Sequence, residues 1–195
     1  MRAALVLCLS LLVAACGSTP APTAAISPAP SPAQASAPRI QQPPVTPPTP
    51  PGTDLPAFAC ADASGGTTGV ANAIAARVTE QAGYDRFVLQ FDSTVPSYTV
   101  MRQARPVFPF GASGQTITLS GTSGVLVDVH SATGANTFTG PTDFTQAGNL
   151  VLKEARQTQD FEGHFSWGLG LGKAACLRAF TLADPPRLVV DLSTA

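Results

Sequence analysis

Charged side chains are scarce in this chain: Asp, Glu, Lys and Arg make up 12% of its 195 residues, with 11 basic groups against 12 acidic ones. The arginines are scattered and the formal net charge is −1, so the basic footprint of a nucleic-acid partner is missing and that class is excluded. Cysteine occurs four times and never as a CxxC pair, which removes the usual redox and zinc signatures. No apolar run reaches the roughly 20 residues that cross a bilayer as a helix; ALVLCLSLLVAA, after Arg2, is about a dozen. Helical periodicity is absent as well, which leaves period-two alternation to organise whatever folds. Catalytic signatures also fail. GTSGV and GASGQ lack the glycine spacing of a nucleophile elbow, and GLGLGKAA lacks the leading glycine and the hydroxyl residue of a phosphate loop.

Proline, by contrast, is plentiful, and most of the 19 lie before Ala57. At that density the backbone loses donors and a fixed φ blocks helix and sheet, so residues 16–56 read as a disordered, semi-rigid tether. Some 40 residues of polyproline II reach on the order of 100 Å. PPTPP within it also contains PxxP, a ligand pattern for proline-recognition modules. Ahead of the tether, Arg2, the apolar run and the small residues that close it describe a secretory signal over residues 1–15. Leu12-Val13-Ala14-Ala15-Cys16-Gly17 resembles the lipobox of bacterial lipoproteins. The resemblance implies cleavage before Cys16, lipidation of its thiol and acylation of the new amino group, with palmitate among the expected chains. Two or more acyl chains give stable anchoring where one does not. An ordinary signal peptide with an incidental Cys16 is the competing reading.

Residues 57–195 remain as one folded domain, rich in Val, Thr, Phe, Gly and Ser, which favours strands and turns. Cys60 and Cys176, in an oxidising compartment, are expected to form a disulfide. DFEGHFSWGLGLG, Asp160 to Gly172, reads as one long strand with Phe161, Phe165, Trp167, Leu169 and Leu171 on a core face and Asp160, Glu162, His164, Ser166 and three glycines on the other. Phe87, Leu89 and Phe91 alternate with Arg86, Val88 and Gln90; Ile74, Ala76 and Val78 form another such face, and Leu188, Val190 and Leu192 a third. Ile117 and Leu119, the turn Gly121-Thr122-Ser123-Gly124, and Val125, Val127 and Val129 make the best hairpin candidate. About eight or nine short strands at close spacing predict an all-β fold, an antiparallel β-sandwich.

GYDRFVLQFD, DFEG with WGLGLG, and the closing ADPPRLVVDL are similar to the AMIN-like domains of bacterial surface lipoproteins over about Thr68 to Leu192. The resemblance implies a sandwich that binds envelope material, in some members peptidoglycan, and localises a protein without catalysing. The candidate ligand-binding residues are Arg86, Glu162, His164, Ser166 and Arg187. Glu162, His164 and Ser166 stand about 7 Å apart along one strand face, beside glycines that either offer a bare surface to a sugar ring or admit a close neighbour. Arg86 beside Asp85, and Arg187 beside Asp184 or Asp191, read as ion pairs worth about 0–1 kcal/mol if exposed, or as grips for a peptidoglycan carboxylate. Asp160 and Glu162 have the roughly 7 Å spacing of an inverting glycosidase, yet they project the same way from one strand, so no catalytic residue is assigned. A metal set of Cys60, Cys176, His130 and His164 matches no known spacing, and no metal or cofactor is expected. The function expected is a lipid-anchored, non-catalytic module on the extracytoplasmic side of a bacterial membrane, held through Cys16 and contacting cell-wall glycan. An envelope protein is the alternative partner, and a glycan hydrolase the third reading.

Overall fold

The computed structural model describes residues 55–130 and 138–194. The signal peptide at 1–15, Cys16 and nearly all of the tether at 16–56 lie outside the described residues. Twelve strands follow in order: β1 (Ala63–Gly65), β2 (Ala73–Gln81), β3 (Tyr84–Phe91), β4 (Tyr98–Gln103), β5 (Val107–Phe110), β6 (Gln115–Thr118), β7 (Ser123–His130), β8 (Asp143–Thr145), β9 (Leu152–Phe161), β10 (His164–Leu171), β11 (Ala175–Ala183) and β12 (Pro186–Thr194). Eight of them have six residues or more, the alternating segments of the sequence. Among the described residues no helix is long and apolar enough to cross a membrane.

Two antiparallel sheets face each other. The larger has the order β1-β4-β7-β10-β9-β8 and the smaller β11-β12-β3-β2; among the described residues β5 and β6 pair only with each other. Period-two alternation turns Phe87, Leu89, Phe91, Leu188, Val190 and Leu192 of the smaller sheet toward Val125, Val127, Val129, Phe165, Trp167 and Leu169 of the larger, and all are buried. Trp167 packs 5.3 Å from Phe87 across the layers and is fully buried, as its parity demands. Burying each such side chain contributes about 1.5–3 kcal/mol. Asp85 shares the inward face of β3 and is also buried. One of its oxygens accepts the amides of Val151 (2.6 Å) and Leu152 (2.8 Å), so a carboxylate ties the smaller sheet to the start of β9.

Cys60 and Cys176 are joined in a disulfide. Beside it Ala59 and Leu177 exchange backbone hydrogen bonds of 2.8 and 2.9 Å, pinning the start of the domain to β11. A loop of this length contributes about 4–5 kcal/mol in the chain-entropy account.

The structure corrects three local readings. Asp160 to Gly172 is two strands rather than one: β9 ends at Phe161, and Glu162 (φ 50°) and Gly163 (φ 80°) turn the chain into β10. Because a two-residue turn pairs Phe161 with His164, parity reverses there, and Phe161 is 48% exposed instead of joining the core. Ile117 and Leu119 do not pair with β7; β6 folds back on β5, while β7 lies between β4 and β10. On β2 a register shift between Ala73 and Ala75 brings Ala73 inward and leaves Ile74 exposed.

Candidate functional site

The sandwich has two outward faces, and the candidate residues divide between them. On the larger sheet the outward parity of β10 is His164, Ser166, Gly168 and Gly170, beside Gly124, Asp128 and His130 on β7. Half of this face is covered. A Cβ at Gly168 would lie 2.7 Å from the ring of Phe108, one at Gly124 2.6 Å from it, and one at Gly170 2.3 Å from the carbonyl oxygen of Ser120. The β5–β6 hairpin thus lies on bare backbone, and Phe108 is fully buried there. Ser166, expected on an open surface, is 1% exposed; its hydroxyl donates to Asp128 Oδ1 at 2.7 Å.

The uncovered half carries Asp128, His130 and His164. His164 Nδ1 is 3.1 Å from Asp128 Oδ2, and His130 and His164 are a cross-strand pair with rings edge to face at 4.9 Å. Glu162 stays in the turn, and Asp160 borders a groove with Phe110, Gln157 and Gln159 that Glu162 does not line. Asp160 and Glu162, the pair with the glycosidase spacing, thus do not line that groove together.

The outward face of the smaller sheet is different. Register places Arg178, Asp191, Arg86 and Thr79 side by side across β11, β12, β3 and β2. Asp191 is fully buried and accepts from both arginines: Arg86 Nε at 2.6 Å and Nη2 at 2.9 Å, Arg178 Nε at 2.7 Å. Arg86 therefore pairs with Asp191 and not with the adjacent Asp85, which parity sends into the core. The hydrogen bond to Asp191 raises the pKa of the Arg86 guanidinium further, against the opposing effect of burial. Aromatic rings frame the pair: Arg178 lies 4.4 Å from the Phe58 ring centre and 5.0 Å from that of Tyr84, and Arg86 lies 5.7 Å from that of Phe180.

Nη1 of Arg86 and both Nη groups of Arg178 have no acceptor among the described residues. The next rows bring Arg77, opposite Val88, and Arg187, opposite Gln90, to the same face. Arg187 donates to the carbonyls of Pro185 at 3.2 Å and Asp184 at 3.5 Å and makes no ion pair among the described residues. Four arginines thus share a face with one buried carboxylate and three aromatic rings.

Of the residues on this face, Arg86 and Arg187 stand out in the sequence, whereas Arg77, Arg178, Phe58, Tyr84 and Phe180 do not. Alternation in CLRAFTLA, with Arg178, Phe180 and Leu182 on one parity, was the available signal. The model of the AMIN-like domain family matches residues 71–194, which take in β2 to β12 and well over half of the chain. No curated protein matches the chain.

Proposed function

The chain belongs to the AMIN-like domain family, and from that premise we propose a non-catalytic module that binds anionic cell-wall material, peptidoglycan first, through the arginine face of its smaller sheet. The observation that carries this reading is the Arg178–Asp191–Arg86 row with its unused guanidinium donors and flanking rings. Stem peptides of a wall present carboxylates, which accept paired N–H donors from planar guanidinium groups, while sugar rings stack on aromatic faces. Asp191 fixes both guanidinium groups before any ligand arrives, so little side-chain entropy remains to be lost on binding. Cys16, lipidated, would hold the module at the membrane on its extracytoplasmic side, and the tether would let it reach the wall.

Co-sedimentation of the purified full chain with peptidoglycan sacculi tests the binding claim. Retention that falls as salt rises is expected; retention unchanged by Arg86→Gln and Arg187→Gln together would refute this face as the site. Mass spectrometry of the membrane-extracted protein tests the anchor, which predicts acyl mass on Cys16 and its loss in Cys16→Ala. A second reading rests on β2, nine residues long and paired among the described residues only with β3. An envelope protein docking there by strand addition would be trapped by cross-linking even after digestion of the wall.

A further inference from the structure

The uncovered half of the larger sheet brings together a set of side chains that wall binding does not use. Asp128 and His130 lie two residues apart on β7, and His164 is the register partner of His130 on β10, so all three project from one patch of the sheet. One ligand atom from each lies within 4.8 Å of the other two. We propose that Asp128, His130 and His164 form a binding site for a late first-row divalent cation, zinc being the probe of choice.

Three observations carry the proposal. The first is spacing. Metal–ligand bonds of about 2.0–2.2 Å in tetrahedral geometry put neighbouring ligand atoms roughly 3.3–3.5 Å apart. Asp128 Oδ2 is 3.1 Å from His164 Nδ1 and 3.6 Å from His130 Nε2, so two edges of the triangle already have nearly that length. The second is orientation. Ser166, itself 1% exposed, donates at 2.7 Å to Oδ1 of Asp128, which His164 Nδ1 also approaches at 3.3 Å, while Oδ2 lies 3.1 Å from His164 and 3.6 Å from His130, so a buried hydroxyl holds the carboxylate toward both imidazoles.

The third is donor chemistry. Two imidazoles and a carboxylate suit zinc, nickel or copper rather than calcium or magnesium, and the softer sulfurs of Cys60 and Cys176 are committed to their disulfide. Hydrogen bonding alone leaves His130 unexplained, because 3.6 Å to Asp128 is too long for such a bond. The histidine side chains are 38% and 47% exposed, so an ion has direct access and a fourth position is open to water.

The test is equilibrium dialysis of the full chain, free of any histidine tag, against zinc, with cobalt(II) absorption as a second readout. The expected result is about one zinc per chain and a tetrahedral cobalt band. Affinity should fall about tenfold in Ser166→Ala and by more in His130→Ala and His164→Ala, whose strand signal in circular dichroism should be unchanged. Zinc uptake no greater than that of the folded His130→Ala/His164→Ala double variant would overturn the proposal, as would uptake by the single variants equal to that of the wild type.

Discussion

The two outward faces of the sandwich are built on the same period-two pattern, yet half of one is roofed by its own chain and the other is not. On the larger sheet, glycine at 124, 168 and 170 leaves no side chain above the backbone, and Phe108, with the chain around Leu119 and Ser120, lies directly on it. On the smaller sheet the corresponding outward positions of β11, β12 and β3 are Arg178, Asp191 and Arg86, which hold one another in place and leave three Nη groups without an acceptor among the described residues. A polar parity in a strand is therefore not enough to mark a binding surface. Glycine on that parity invites another part of the same chain to cover it, whereas the paired arginines beside aromatic rings keep 24% and 12% of their side chains exposed.

The greatest loss of stability should come from stripping the roof off the larger sheet. Phe108→Ala should cost about 3–5 kcal/mol in urea denaturation and leave retention on sacculi unchanged for the protein that remains folded. Next comes the open face. Asp191→Ala would leave two partly buried arginines without their carboxylate, with an expected loss of about 3 kcal/mol and weaker wall binding, because the guanidinium groups are no longer held. Arg86→Lys should preserve the charge yet lose the two-pronged contact, giving a smaller stability loss and a measurable drop in retention.

The smallest effect belongs to neither face. Asp92 accepts from the side chain and amide of Asn72 at 3.0 and 3.1 Å, and the Asn72 side chain foremost holds its pKa below the ordinary value. A depressed carboxylate pKa contributes stability that is present above the unfolded-state value and is lost as pH falls through the folded one. Asp92→Asn should therefore unfold at slightly lower urea than wild type at pH 7, and the two midpoints should converge as the pH falls below the ordinary carboxylate range.

Much of the architecture was legible because alternation survives without knowledge of pairing. The faces of Phe87, Leu89 and Phe91, and of Leu188, Val190 and Leu192, need only the pleat. The Glu162-Gly163 turn was hidden because Asn or Asp, not Glu, usually takes the first positive-φ position. The site was less legible. Arg86 and Asp191 are 105 residues apart, and adjacency in sequence favoured Asp85, which one step of parity turns into the core. His130 and His164 likewise meet only through the register of β7 with β10. The cover over Gly168 depends on where β5 and β6 return, which no local pattern encodes.

The measurement that bears most directly on the arginine face is sacculus retention of two folded double variants of the full chain, Arg77→Gln/Arg187→Gln and His130→Ala/His164→Ala, side by side with the wild type. Loss of retention confined to the arginine variant is the predicted result. Equal retention by all three proteins, or loss confined to the histidine variant, would contradict it.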